Sequence, residues 1–265
     1  MLSLVVPTNR DFEALKPLFM TSSPDAEIII IDSSYNEETK KQLKQIKHDY
    51  SKVVYAPPKP QEPKKPYDMM NAINTGICYS ENPWIMKIDD NWELKPDFFQ
   101  KAKETLALFN DTKIVIRPLE LEPWNNDVKW NSYVPLKERY IQLPHPPLGR
   151  PISIQTIGQA IYHINTMYHL NGWDERYDNG LAWNDNDMFY RLLIAGYPIY
   201  LDQELMMYRY KHVSSGTQQP RDTAMNIFNE IFEKELKTGV YQTKNSYSLE
   251  ELHKIQLKDK PAYAL

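Results

Sequence analysis

The chain has a single cysteine, Cys78, among its 265 residues. One cysteine cannot form an intrachain disulfide, and zinc sites built on cysteine are excluded. Cys78 lies in an apolar, helix-patterned segment and reads as a core residue rather than a nucleophile. Glycine is scarce, at 8 residues. No glycine-rich phosphate loop is visible, which argues against nucleotidyltransferases that depend on one. No run of 18 apolar residues occurs, so no membrane span is expected. Met1-Leu2-Ser3-Leu4-Val5-Val6-Pro7 lacks a basic segment followed by a long apolar run and does not read as a signal peptide. A cytoplasmic location (the host's, for a viral protein) is the simplest expectation. Excess charge of one sign is missing too: 31 basic residues face 35 acidic ones, for a net charge of −4. That balance supplies no general attraction to nucleic acid or anionic membrane, although a local patch can still act.

What is present is a globular mixture, 42% hydrophobic and 25% charged, long enough to bury a substantial core. Leu2 to Val6 reads as a short buried strand stopped by Pro7, and Phe12 to Met20 as a helix limited by Pro17. Ala26 to Ile31 is a second strand ending at Asp32-Ser33-Ser34, Glu37 to Tyr50 a polar helix, and Val53 to Tyr55 a third strand. This alternation predicts βαβ units and a parallel sheet, whose ligands bind at the carboxyl ends of the strands. Asn9 and Asp32 both fall at such ends.

Pro57 to Pro66 is an extended, proline-rich loop carrying Lys59, Lys64 and Lys65. It reads either as a solvated linker or as a basic flap over an anionic ligand. Tyr67 to Tyr79 is helical, Pro96 to Phe109 another helix, and Lys113 to Ile116 another strand. Between Arg117 and Pro151 prolines and aromatics (Trp124, Trp130, Tyr133, Tyr140) mark an irregular insertion expected to cover a cleft. Ile152 to His163 is strand-like, and its Gly158-Gln159-Ala160 marks a close backbone approach. A helix from Met188 to Ala195 and a strand from Tyr197 to Leu201 follow. The remainder is helical: Thr223 to Lys237, then Ser248-Leu249-Glu250-Glu251, a capping box that opens a last helix. Residues 1–216 are expected to form the main domain, with 217–265 a helical extension packed on it.

The chain is organised around Trp84-Ile85-Met86-Lys87-Ile88-Asp89-Asp90-Asn91-Trp92-Glu93, an apolar strand that runs into a carboxylate cluster. Hard divalent cations are held by one or two carboxylates together with substrate phosphates. The stretch therefore reads as a metal–diphosphate site, or as an Asp-rich turn. A second polar cluster follows at Leu170-Asn171-Gly172-Trp173-Asp174-Glu175 and Trp183-Asn184-Asp185-Asn186-Asp187. Helix capping accounts for one of Asp185 and Asp187 more easily than for both. His212, in a strand-to-loop transition, reads as structural or as a ligand.

In their order, these pieces resemble family 2 glycosyltransferases of the GT-A fold, over residues 1 to about 215. Val5-Val6-Pro7-Thr8-Asn9-Arg10 looks like the family's first strand and turn, and Ile28 to Ser34 like its second, whose terminal Asp reads the nucleotide base. Ala72-Ile73-Asn74-Thr75-Gly76 is similar to its Ala-Arg-Asn-x-Gly helix, with Ile73 replacing the arginine. Asp89-Asp90-Asn91 stands where the family has Asp-x-Asp, and Leu170 to Glu175 is similar to its Gly-Gly-Phe-Asp-Glu segment. Asn184-Asp185-Asn186-Asp187 resembles Glu-Asp-x-Asp.

The resemblance implies an α/β, Rossmann-like, mostly parallel sheet flanked by helices, and inverting transfer of a sugar from a nucleoside-diphosphate donor, a UDP-sugar, to an acceptor hydroxyl. Asp185 is the implied catalytic base. Pro7, Thr8, Asn9, Arg10, Asp32, Ser34, Asn74, Asp89, Asp90 and Lys211 would bind the donor. A divalent ion, Mn2+ or Mg2+, would rest on Asp89, Asn91 and His212 and act as a Lewis acid on the leaving diphosphate. Arg209 is an alternative to Lys211 at the phosphates. Trp173, Asp174, Trp183 and Asn184 would face the sugar or acceptor. That acceptor is a protein, a glycan, a small molecule or a hydroxymethylated base in DNA, the last gripped by the basic loop and reached by base flipping. A nucleotide-sugar-binding protein with a degenerate site is the alternative raised by Ile73 and Asn91.

Overall fold

The computed structural model describes residues 2–20, 23–46, 49–61, 63–109, 113–121, 139–143, 158–180, 182–209 and 218–258. Lys211 and His212, most of the proline-rich insertion, and residues 152–157 of the expected strand lie outside them. The strands are β1 (Leu2–Thr8), β2 (Ser23–Asp32), β3 (Tyr50–Ala56), β4 (Trp84–Lys87), β5 (Trp92–Leu94), β6 (Val115–Leu121), β7 (Tyr140–Gln142), β8 (Ala160–His163) and β9 (Ile199–Arg209). The helices are α1 (Phe12–Leu15), α2 (Glu37–Ile46), α3 (Met69–Tyr79), α4 (Phe98–Leu108), α5 (Ile164–Leu170), α6 (Asn184–Ile194), α7 (Gln218–Lys234) and α8 (Leu249–Lys258).

The nine described strands join one sheet in the order β3-β2-β1-β4-β8-β6-β9-β5, with β7 paired to β9. The first four strands are parallel, as the βαβ pattern predicts. The second half departs from that pattern: β8 runs antiparallel to both β4 and β6, and β5 and β7 run antiparallel to β9. The sheet is therefore mixed. A strand that returns antiparallel at β8 carries the chain back beside the end of β4, and this juxtaposition builds the site.

Near-continuous apolar runs such as Ile28–Ile31 suit strands covered on both faces. Alternate residues separate accordingly. Val5, Ile29 and Ile31 pack with Ile73, Ile77, Phe189, Phe228 and Leu252 on the face covered by α3, α6, α7 and α8. Leu4, Val6, Ile28 and Ile30 pack with Phe12, Leu15, Phe98 and Ala102 on the face of α1 and α4. Gly76 of α3 has no room for a side chain, because a Cβ there would meet Val5 Cγ1 at 2.4 Å.

Several boundaries differ from the sequence-based expectation for local reasons. Strand β1 continues through Pro7 to Thr8, because its pairing with β4 ends at Val5 and a missing N–H beyond it breaks no ladder on that side. The expected helix at 12–20 divides into α1 and a 3-10 segment, Lys16–Met20, that accommodates Pro17. Strand β6 runs on to Leu121, taking up Pro118 at a register shift. Strand β9 extends to Arg209, well past Leu201. The capping box at α8 is as expected: the Glu251 N–H donates to Ser248 Oγ at 3.2 Å and the Ser248 N–H donates to Glu251 Oε2 at 2.8 Å.

Candidate active site

The carboxyl ends of the parallel strands gather the first group of polar residues. Thr8 closes β1, and its Oγ1 donates to Asp90 Oδ2 at 2.7 Å. Arg10 Nε stands 3.4 Å from the same oxygen. Asp32 closes β2 with no exposed surface. One of its oxygens accepts the Ser34 N–H at 2.8 Å and the other the Tyr55 hydroxyl at 2.6 Å. Ser34 Oγ donates to the Asn9 carbonyl at 2.9 Å. Thr8, Asn9, Arg10, Asp32, Ser34 and Asp90, with Pro7 beside Thr8, therefore stand together at the strand ends.

The second group forms where β4 meets β8 and α6. Lys87 ends β4 with 3% of its side chain exposed, and its Nζ lies 2.7 Å from Asp89 Oδ1 and 3.9 Å from Asp185 Oδ1. It also lies 5.6 Å from the centroid of the Trp173 ring, within cation–π range. Gln159, just before β8, holds Asp89 at two points: its Nε2 donates to Asp89 Oδ2 at 2.7 Å and its Oε1 accepts the Asp89 N–H at 2.9 Å. Gly158 beside it approaches Asp185 so closely that a Cβ there would lie 3.0 Å from Oδ2. The close approach read from Gly158-Gln159-Ala160 is thus an approach to this carboxylate pair.

Asp185 reaches this position because α6 begins at Asn184, four residues earlier than the periodicity indicates. Neither aspartate caps the helix. Trp183 holds the N-cap position at φ +66°, following Ala182 at φ +80°. Two successive non-glycine residues in the left-handed region are strained, and the packing of the Trp183 ring on Phe228, centroids 5.1 Å apart, holds the turn in place. Asp185 and Asp187 then occupy the first helical turn, where the helix dipole favours negative charge. Asp185 keeps 30% of its side chain open to solvent, and Asn184 Nδ2 donates to its Oδ1 at 3.1 Å.

Electrostatics at this cluster follow from its depth. Burial pushes the Asp185 carboxyl above its ordinary value and Asp89 adds to the rise, while Lys87 and Arg117 oppose it. Burial works against the Lys87 ammonium, but Asp89 and Asp185 outweigh it and keep it charged.

Other expected site residues lie deeper and act as internal ties. Asn74 is fully buried. Its Nδ2 donates to the Trp173 carbonyl and to Glu175, both at 2.9 Å, and its Oδ1 accepts the Trp173 N–H at 2.8 Å. Asp174 pairs with Arg176 at 2.6 Å and with the buried Arg191 at 3.1 Å, and Arg191 in turn binds Asp187 at 2.7 Å. Trp173 is buried as well, so its ring supports Lys87 from behind and presents no open stacking face.

The basic-flap reading of the proline-rich loop is corrected for Lys59. Lys59 is 7% exposed and pairs with Glu175, and Lys65 Nζ donates to the Glu175 carbonyl. The Lys59 charge is thus neutralised inside the protein, whereas Lys65 is half-buried and is held by a backbone carbonyl only.

A divalent ion fits the described side chains poorly. Asp89 is taken up by Lys87 and Gln159 and Asp90 by Thr8 and Arg10. Among the described residues, no group of three or more His, Cys, Asp or Glu gathers as a metal site requires.

Lys87 and Gln159 are the residues that sequence reasoning missed. Lys87 carries a visible signal, a charge closing an otherwise apolar four-residue strand, Trp84–Lys87, that is buried along its length. Such a charge needs an internal counter-ion. Gln159 carries no signal beyond its glycine neighbour.

No family model matches the chain, and no curated protein matches it in sequence. Solved structures do resemble it. S. aureus TarS superimposes with a TM-score of 0.61 at 12% identity, covering 90% of this chain and 41% of TarS. TarS 1–349 in complex with UDP gives a TM-score of 0.60 at 11% identity, over 90% of this chain and 73% of the other. TarS 1–349 in complex with UDP-GlcNAc gives 0.57 at 14% identity, over 90% and 69%. The chain thus spans 41% of the longest of these structures. At such identities the likeness is one of fold, and the fold is GT-A-like.

Proposed function

We propose that this protein is a nucleotide-sugar-dependent glycosyltransferase that moves a sugar from a UDP-sugar to an acceptor hydroxyl with inversion. One observation carries the reading. Asp185, partly open to solvent at the start of α6, stands across Lys87 from the Asp89–Asp90 end of β4, in a fold similar to one that holds UDP and UDP-GlcNAc in TarS.

In this reading Pro7, Thr8, Asn9, Asp32 and Ser34 form the nucleoside end of the site, and Arg10 and Asp90 border the diphosphate with Lys211. Trp183 and Asn184 face the sugar and acceptor, while Asn74, Trp173 and Asp174 hold the wall behind them. The acceptor oxygen attacks the anomeric carbon on the face opposite the leaving group, its proton passes to Asp185, and the bond to the nucleoside diphosphate breaks. A partly desolvated carboxylate is a stronger base than a fully exposed one, which suits that transfer. The resemblance also implies a divalent ion on Asp89, Asn91 and His212. Among the described residues no three His, Cys, Asp or Glu gather for it, and no step above passes through one.

The test is a panel of UDP-, GDP- and dTDP-sugars, scored by thermal shift and by release of the nucleoside diphosphate. A UDP-sugar is expected to raise Tm and to be turned over slowly even with water as acceptor. If no nucleotide sugar stabilises the protein or is cleaved, the reading fails. Oligosaccharide, protein and hydroxymethylated duplex DNA acceptors, each added to the productive donor, identify the hydroxyl.

A further inference from the structure

Lys87 has no part in the transfer as written, yet it is a buried charge at the centre of the carboxylate cluster, with 3% of its side chain exposed. Its strand neighbours Trp84, Ile85 and Met86 are all core residues, and a methionine or leucine at its place would suit the strand equally well. The ammonium lies in ion-pair range of two carboxylates, Asp89 at 2.7 Å and, from a distant part of the chain, Asp185 at 3.9 Å. Asp89 is itself immobilised by the two-point clamp from Gln159. Lys87 therefore extends a rigid unit from the end of β4 to the first turn of α6. The contact is selective between oxygens: Lys87 and Asn184 both lie against Asp185 Oδ1, while Oδ2 faces Gly158.

We propose that Lys87 is a positioning residue for the transfer, one that ties Oδ1 of Asp185 to the β4 end so that Oδ2 is aimed toward Gly158 as the proton-accepting atom. The role rests on the glycosyltransferase reading above. Without the ammonium, Asp89 and Asp185 become two like charges around one empty position, and the base swings away from the acceptor. Displacement of a catalytic group by about 1 Å can cost on the order of 100-fold in rate. Donor affinity is set at the other end of the site, by Thr8, Arg10 and Asp32, and stays as it is.

The experiment compares Lys87→Met, which keeps most of the length of the side chain and removes the charge, with Lys87→Arg, which restores it. For Lys87→Met, kcat is expected to fall by about 100-fold while the UDP dissociation constant changes by less than about threefold; Lys87→Arg recovers about tenfold of the loss. A Lys87→Met enzyme with near-normal kcat, a kcat loss matched by an equal loss of UDP affinity, or no recovery with arginine overturns the proposal.

A second measurement needs no turnover. In a thermal double-mutant cycle with Asp185→Asn, the Tm loss from Lys87→Met shrinks by about 2 °C or more when the second carboxylate is already neutral. An unchanged loss breaks the link between Lys87 and Asp185 whether or not any donor is used. If wild type and variants all fail to bind UDP while the cycle shows coupling, the donor reading fails and the tie stands. If neither Lys87→Met nor the double variant folds, Lys87 serves the fold alone and the proposal is overturned.

Discussion

Asp178 caps a helix that begins more than a hundred residues before it. Its Oδ1 accepts the Met70 N–H at 2.7 Å and its Oδ2 the Asn71 N–H at 3.1 Å, while Asp68, at the N-cap position of α3, makes no such bond through its side chain. Gln61 Nε2 donates to Asp178 Oδ2 at 2.9 Å. One carboxylate thus joins the proline-rich loop, the start of α3 and the segment that leads to the candidate base. Asp178→Ala orphans two buried N–H groups and is expected to cost about 1–2 kcal/mol, read as a fall in the denaturant midpoint with an unchanged slope.

The same residue gives a pH signature. Burial pushes the Asp178 carboxyl up to about 7 against the pull of the Met70 and Asn71 N–H groups and of Gln61. A carboxyl that binds its proton more tightly when folded favours the native state at low pH. That contribution is lost as pH rises from the unfolded value, near 3.9, through the folded one, near 7. Asp178→Asn should flatten the stability profile between about pH 4 and 7; a wild-type profile that rises across this window would contradict the assignment.

Glu235 works in the opposite sense. Burial raises its pKa, but the hydrogen bonds from Arg176 and Lys244 and the nearby Arg191 outweigh it and bring it down to about 2. Its contribution is present above the unfolded value of about 4.4 and disappears as pH falls toward 2. Acid titration of Glu235→Gln, followed by circular dichroism, should show less dependence on pH in that window than wild type.

Asp185→Asn removes the proton acceptor and keeps the side-chain shape. The expected loss is about 10²–10⁴-fold in kcat, with UDP binding by calorimetry unchanged within a few-fold. Near-normal turnover in this variant would mean that another group accepts the proton.

Gly158→Ala tests the space in front of the base. The new methyl would lie 3.0 Å from Asp185 Oδ2, tighter than an ordinary contact, so the carboxylate or the β8 approach must give way. Transfer to the acceptor is expected to fall by at least about tenfold while Tm changes by no more than about 2–4 °C, the effect of about 1 kcal/mol. A variant with unchanged transfer would show that the acceptor does not come in by way of Gly158.

Much of this protein is local, and local features are readable from sequence. The Ile28–Ile31 run becomes a strand covered on both faces because its apolar side chains must leave water wherever they point. Ser248 and Glu251 mark the start of α8 because the bonds between them span a single turn. Asp32, Asp89 and Asp185 stand out because carboxylates beside apolar runs need a reason to be there. Even the early start of α6 has a local component, the first-turn acids at Asp185 and Asp187.

What sequence could not supply is which distant residues share a charge. Asn74 meets Trp173 and Asp178 meets Met70 across some hundred residues, and nothing near either position names its partner. Lys87 passed unnoticed within an apolar strand; the antiparallel pairing of β8 with β4 brought Gln159 and Gly158 alongside and made it the centre of the cluster. Packing against Glu175 turned Lys59 from a surface charge into an internal tie. Periodicity and caps follow from neighbours along the chain. Ion pairs follow from the order of strands in the sheet, which is decided only when the whole core closes.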